Sequence, residues 1–360
     1  MKRLVILLMA GVFLGTADAT ASQPAVVRTD RFVELQSGGR LFVREVRRSG
    51  GPGDVTSAVL LIHGARVPGV ASFDLQVPGG SLATDLALAG HLVYILDLRG
   101  YGGSSRPAAM AAAPGQSPPL MRTQDAIADI AAATDAIIEW SGDPQIGIMG
   151  WATGGHWAAA YAVKYPRTIE RLVLYNTLYG GADEHKSLGR GSPLEDPNRP
   201  GNFNISAFGA YRLNTGASLL PAWDNSIPVP DKAAWRDERV KQAYVDAALA
   251  SDPTSANRQP PAFRSPSGAM ADSFELAIGK RQWPASALSM PVLVIRSEND
   301  FWSRPEDAKA IVAEAPRAKF LTIPRATHFV HLDRSESGRA LFVNAMTRFL
   351  EPSATSQEQE

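Results

Sequence analysis

The chain has 360 residues, 45% of them apolar and 20% charged, and its 36 Lys+Arg are balanced by 36 Asp+Glu for a formal net charge of zero. That composition supports a substantial core and excludes a disordered or fibrous chain, and the balanced charge gives no general electrostatic reason to expect nucleic acid or an anionic membrane as partner. With no cysteine, the sequence offers no disulfide, no thiolate nucleophile, no Cys-based metal site and no cysteine for a lipid anchor.

Residues 1–21 read as a secretory signal peptide. Met1-Lys2-Arg3 is followed by an apolar run over 4–14 and by small residues through Ala17-Asp18-Ala19, so cleavage is expected after Ala19 or Ala21. About a dozen apolar residues fall short of the ~30 Å that a membrane-spanning helix must cover. A soluble exported chain, periplasmic or secreted, is the expected product.

From about Arg31 onward, short β-rich runs alternate with helical patterns. Residues 32–34 and 41–46 predict a hairpin across Ser37-Gly38-Gly39, and 58–62, 92–96, 146–149, 172–175 and 292–295 predict strands. These last five runs lack polar alternation, which suits strands buried on both faces. The clearest helix is 123–140, where Ile127, Ile130, Ala131, Thr134, Ile137 and Ile138 recur at helical spacing. The pattern predicts an α/β fold, a mostly parallel, doubly wound sheet covered on both faces.

Roughly 115 residues separate the strand at Leu174 from the strand at Val292, far more than a crossover needs. The excess predicts an inserted helical lid over 180–285, between core segments 28–179 and 286–351. Its expected content is a Gly/Pro/Asn-rich stretch at 180–204, one helix at 231–249 and an irregular Pro/Ser-rich connector at 253–267. In the helix, Trp235, Val240, Tyr244, Ala247 and Ala248 form the inward face. The tail from Pro352 on is polar.

The strand at 146–149 runs straight into Gly150-Trp151-Ala152-Thr153-Gly154-Gly155 and then into helical His156-Trp157-Ala158. A strand, a sharp turn with glycines two residues either side of its apex, and a helix make a nucleophile elbow. At the apex, where the nucleophile belongs, stands Ala152, whose methyl group cannot attack a carbonyl.

Four further pieces stand in order around that elbow: Leu61-Ile62-His63-Gly64-Ala65, the run Asp97-Leu98-Arg99-Gly100-Tyr101-Gly102-Gly103-Ser104-Ser105, then Asp300, then His328 within Ala326-Thr327-His328-Phe329-Val330. With them, residues 55–350 resemble an α/β-hydrolase, closest to the esterase, peroxidase-like and proline-iminopeptidase-like branch with a helical lid. The resemblance implies Asp300 as the acid that orients the histidine and His328 as general base, with His331 the rival three residues on. It also implies backbone N–H groups of Ala65 and Thr153 as oxyanion donors and a structural role for His63.

Three explanations of Ala152 compete: a Ser→Ala substitution that traps substrate, a natural pseudoenzyme that binds without turnover, and a shifted register with Thr153 as nucleophile. Trp151 would crowd the shifted turn, and the intact partners favour the substitution. Ser is the expected occupant, with Cys and Asp left open. The implied activity is hydrolysis of a carboxylic ester through an acyl-enzyme, with amide or lactone as variants. The alternative is a pseudoenzyme holding a small apolar ligand in the same pocket.

Trp151 and His156 beside the apex, and Trp302 beside Asp300, are expected to contact substrate, while Trp157 is expected to pack. Of the lid aromatics Trp223, Trp235, Trp283, Phe203, Phe208 and Phe274, most are expected in the lid's own core. A few facing the cleft would suit a bulky or aromatic small-molecule ester. No metal motif, phosphate loop or dinucleotide fingerprint is present, so neither a cofactor nor a metal is expected.

Overall fold

The computed structural model describes residues 25–50 and 57–351. The signal-peptide reading and the tail from Pro352 fall outside the described residues. The core strands are β1 (Val26–Glu34), β2 (Arg40–Arg48), β3 (Ala58–Ile62), β4 (Leu92–Asp97), β5 (Ile146–Trp151) and β6 (Ile169–Tyr175). After two strands of the insertion, β7 (Tyr211–Thr215) and β8 (Ala262–Pro266), come β9 (Val292–Ser297) and β10 (Ala318–Ile323). Eight of them form one sheet in the order β1-β2-β4-β3-β5-β6-β9-β10. The pairs β1–β2 and β2–β4 are antiparallel, and every other pair is parallel.

The continuous apolar runs are buried on both faces because helices cover both. On one side lie α3 (Thr123–Ser141), α4 (Thr153–Lys164) and α9 (Pro305–Glu314); on the other lie α1 (Gly69–Phe73), α2 (Leu82–Leu88) and α10 (Arg339–Leu350). Alternate strand residues divide accordingly. Leu60, Ile62, Leu96 and Ile148 join Ile127 and Ile130 of α3 and Trp157 of α4. Val59, Leu61, Ile95 and Met149 join Phe73, Leu86 and, from α10, Phe342 and Met346. Each such side chain contributes roughly 1.5–3 kcal/mol by leaving water. Helix α3 stops where Gly142 takes the left-handed φ of +79°, a backbone state that costs glycine little.

Residues 176–291 leave β6 and return to its neighbour β9. They carry α5 (Ile205–Phe208), α6 (Leu220–Ser226), α7 (Glu238–Ala250) and α8 (Gly268–Ala277). Three expectations for this stretch need correction. The helix predicted from 231 begins at Glu238, because the Asp237 carboxylate accepts the Arg239 N–H (2.8 Å) and caps it there. The stretch read as irregular at 253–267 contains β8, which pairs antiparallel with β7 from Tyr211↔Pro266 to Thr215↔Ala262. Trp283, counted with the lid, packs instead on Tyr179, 4.4 Å between ring centroids, at the edge of the core. Phe203, Phe208 and Phe274 form a small cluster of their own.

Candidate active site

Ala152 sits between β5 and α4 at φ +52°, ψ −118°. A non-glycine residue in that region carries strain of about 1–3 kcal/mol and persists only where its surroundings force it. Here the forcing is steric. A Cβ on Gly150 would lie 2.3 Å from the Gly154 carbonyl oxygen, and one on Gly154 would lie 2.3 Å from that of His63. Gly155 is equally constrained, since a Cβ there would meet Thr177 Oγ1 at 1.8 Å. The Ala152 N–H donates to the Tyr175 carbonyl (2.8 Å), which pins the turn to β6.

The loop after β3 passes close beside this apex, since a Cβ on Gly64 would stand 3.5 Å from that of Ala152. His63 holds the loop. Its Nδ1 lies 2.7 Å from the Gly64 carbonyl oxygen, and its Nε2 accepts the Leu98 N–H at 3.3 Å. Burial pushes its pKa down to about 4, so the ring is neutral. Among the described residues the Ala65 N–H has no hydrogen-bond acceptor. Thr153 is the first residue of α4, where the N–H has no partner within the helix. Two donors are thus left beside position 152. The Thr153 side chain turns elsewhere, its Oγ1 standing 3.5 Å from Ser273 Oγ of α8.

Asp300 follows β9 and His328 follows β10, at the carboxyl ends of parallel strands where sites of open α/β sheets gather. His328 Nδ1–H donates to Asp300 Oδ1 at 2.6 Å. Asp300 also accepts the N–H of Trp302 (3.0 Å), the N–H of Ser303 (2.8 Å) and the Ser303 hydroxyl. Burial pushes the Asp300 carboxyl up, but the His328 charge and these hydrogen bonds outweigh it and hold it below its ordinary value.

The His328 backbone is fixed just as firmly. Its carbonyl accepts Tyr175 Oη–H (2.7 Å), Trp151 Nε1–H (3.2 Å) and Asn176 Nδ2–H (3.3 Å). Sequence reading missed Tyr175 and Asn176, and the only local signal was their place at the end of a buried strand. His331, the rival base, is fully buried with its ring 4.6 Å from that of Trp151 and its Nδ1 3.3 Å from Tyr175 Oη. Burial first, then the charges of His328 and Arg339, drives its pKa well down, so it stays neutral.

Ala152 and His328 open on one cleft of about 110 Å³, with Gly64 and Ala65 in its wall and Leu219, Ala222 and Tyr244 of the insertion beside them. Trp151, Trp302, Phe301 and Phe329 give it aromatic walls. His156 is a correction: it does not reach this cleft. One turn into α4 it points to the layer behind the sheet, where its Nδ1 accepts Trp283 Nε1–H (2.9 Å) and its Nε2 meets Thr123 Oγ1 (2.9 Å). Nearness in sequence misled there, because α4 leads away from the cleft. Trp157 packs in the same layer. Among the described residues no group of three or more His, Asp or Glu is placed to hold a metal ion, and no helix is long and apolar enough to cross a membrane.

A parallel sheet sandwiched by helices, a strained elbow and a carboxylate–histidine pair at the strand ends define the architecture of an α/β-hydrolase. The chain belongs to that family: its alpha/beta hydrolase fold profile matches residues 57–335. Among solved structures, a serine hydrolase from the polyaromatic hydrocarbon-degrading bacterium Cycloclasticus zankles shares 15% identity at a TM-score of 0.57, covering 90% of this chain and 98% of that one. An esterase from Rhodococcus sp. ECU1013 shares 18% at 0.55, covering 89% and 98%. A mutant of the meta-cleavage product hydrolase from Pseudomonas fluorescens IP01, complexed with acetates, shares 17% at 0.57, covering 89% and 96%. At these identities the likeness carries the fold. A search of curated proteins finds no match.

Proposed function

We propose that this is the site of a serine-type carboxylic ester hydrolase whose nucleophile position is held by Ala152, so that the chain binds its ester without cleaving it. The observation that carries this reading is the strained backbone of Ala152, kept on the same cleft as the 2.6 Å His328–Asp300 pair. Strain of this kind has a use when the apex side chain is a nucleophile, and alanine gains nothing from it.

With serine at 152, His328 Nε2 takes the hydroxyl proton as the oxygen attacks the ester carbonyl, while Asp300 steadies the resulting imidazolium. The N–H groups of Ala65 and Thr153 receive the oxyanion. The alcohol leaves with the proton returned by His328, and water then cleaves the acyl-enzyme by the same relay in reverse. The insertion acts as a lid over the cleft, whose aromatic walls suit a bulky or aromatic ester. Export belongs to the same proposal, and a mature N-terminus at Thr20 or Ser22 in periplasm or medium is its test.

The test of the activity is Ala152→Ser. Restoring the nucleophile should raise turnover of aryl, alkyl or lactone esters by about 10⁶ over this chain. Silence across that panel, joined to an alanine codon in the native gene, would hand the site to the pseudoenzyme reading.

A further inference from the structure

We propose that Arg66, with the positive charge of Arg212 behind it on the Ala65 carbonyl, forms a carboxylate-binding subsite beside the oxyanion loop, so that the ester taken by this cleft carries a second, anionic carboxylate group. The inference rests on the ester-hydrolase reading and names its substrate class.

Arg66 directly follows Ala65 and lines the cleft. Its guanidinium is held only by neutral acceptors: Nε donates to Asn214 Oδ1 (3.1 Å) and Nη2 to the Ser218 carbonyl (3.0 Å) and hydroxyl (2.9 Å). Nη1 has no partner among the described residues. The β7–β8 pair fixes this arrangement, because Asn214 Nδ2 donates to Ser265 Oγ (3.0 Å) and Ser265 Oγ donates to the Arg66 carbonyl (2.6 Å). Arg212, on β7, directs Nη2 to the Ala65 carbonyl (3.4 Å), and its Nε is buried without a partner.

No carboxylate among the described residues comes within 4.0 Å of either guanidinium. Elsewhere several enclosed arginines pair directly with carboxylates, Arg28 with Asp74, Arg99 with Asp129, Arg264 with Asp252 and Arg304 with Asp307, whereas Arg106 and Arg296, away from the cleft lining, meet only carbonyl oxygens. Two adjacent, partly buried positive charges without a counter-ion are costly to hold, and arginine keeps its proton. Burial lowers the pKa of both, and Arg66 pushes Arg212 down further.

The rest of the cleft does not offset this charge. No Asp or Glu lines it, and the nearest carboxylate, Asp300, is already engaged by His328, Trp302 and Ser303. The buried indole Nε1 of Trp302, another wall residue, also lacks an acceptor. A cleft with surplus donors and surplus positive charge is complementary to an anion rich in acceptors. The planar guanidinium of Arg66, preset by Asn214 and Ser218, matches a carboxylate with little ordering cost.

The test uses two ligands that differ at one group: the benzyl monoester of glutaric acid, with a free carboxylate, and the benzyl ester of glutaric monoamide, with a neutral amide in its place. Titration calorimetry on this chain, which does not consume them, should show the carboxylate form binding about tenfold to a hundredfold tighter. Arg66→Gln should collapse that ratio towards one, and Arg66→Lys should keep part of it. Equal binding of the two ligands, or tighter binding of the amide, overturns the subsite.

The Ala152→Ser form separates the two readings. If it hydrolyses both esters with equal kcat/KM, the subsite fails and the hydrolase stands. If it cleaves neither and is silent across the aryl, alkyl and lactone panel, with alanine in the native gene, while this chain still prefers the carboxylate ligand, the hydrolase reading fails and the anion subsite stands. Binding of neither ligand overturns the subsite and leaves the hydrolase reading to the ester panel.

Discussion

Asp300 at the core site and Asp333 at the seam between core and insertion are both buried, yet they meet opposite surroundings. Asp300 faces a histidine that takes up charge and two backbone N–H groups, and its carboxyl is held below its ordinary value. Asp333 accepts only neutral side-chain donors: Thr327 Oγ1–H (2.7 Å), Trp223 Nε1–H (2.9 Å) and Trp235 Nε1–H (3.2 Å). Those bonds and the nearby Arg236 lower its pKa less than burial raises it, and it stands at about 7. Burial alone therefore does not decide a carboxylate's charge, since a partner able to become a cation reverses it. The core site is built to hold a charge, and the seam is built to hold the insertion's tryptophans.

The comparison breaks most sharply in catalysis. In the Ala152→Ser background, His328→Ala should cost about 10⁶ in kcat and Asp300→Asn about 10⁴, because the amide no longer stabilises the imidazolium. Steady-state turnover of an aryl ester reads both. A comparable loss from His331→Gln would move the base to His331 and undo the contrast.

The seam should answer in stability. Trp223 is fully buried and stacked on Phe329 at 4.8 Å, so Trp223→Ala should cost about 3–5 kcal/mol in denaturant unfolding. A loss below about 1 kcal/mol would mean that the insertion is not anchored there.

Per pH unit, the smallest effect comes from Asp333 and sharpens the comparison. The Asp333 pKa is raised to about 7 in the folded chain against 3.8 when unfolded. Between those values the folded state holds a proton that the unfolded state has lost. Its contribution therefore favours folding at low pH and falls as pH rises to about 7, by at most about 1.4 kcal/mol per pH unit. Asp300 runs the other way, since its depressed pKa gives stability present above the unfolded value and lost as pH falls through the folded one. Asp333→Asn should flatten the fall between about pH 4 and 7, measured as unfolding free energy against pH. An unchanged slope would show Asp333 ionised throughout.

The strands buried on both faces were legible because continuous apolar runs of strand length have few other places to go. β3 begins and ends where its run does, and β4, β5 and β9 extend one or two residues past theirs. The elbow was legible because its requirement is local: only glycine leaves room at positions 150 and 154. Asp300 and His328 became readable through their order along the chain, since neither residue alone differs from an ordinary loop acid or a packed histidine.

The chain's own alternation of apolar runs, helical periods and glycines thus determined seven strands of the sheet, its cover of helices on both faces and the place of Ala152, but not β10, whose half-exposed run at 318–323 carries no continuous apolar signal. Tertiary structure decided the rest. It turned His156 away from the cleft, brought Tyr175, Trp151 and Asn176 onto one carbonyl, and paired β7 with β8 so that Arg66 and Arg212 stand together. The physical reason is separation along the chain: backbone propensity and steric fit act within a few residues, whereas the charge, burial and hydrogen bonding of a side chain depend on segments that meet only after the chain has folded.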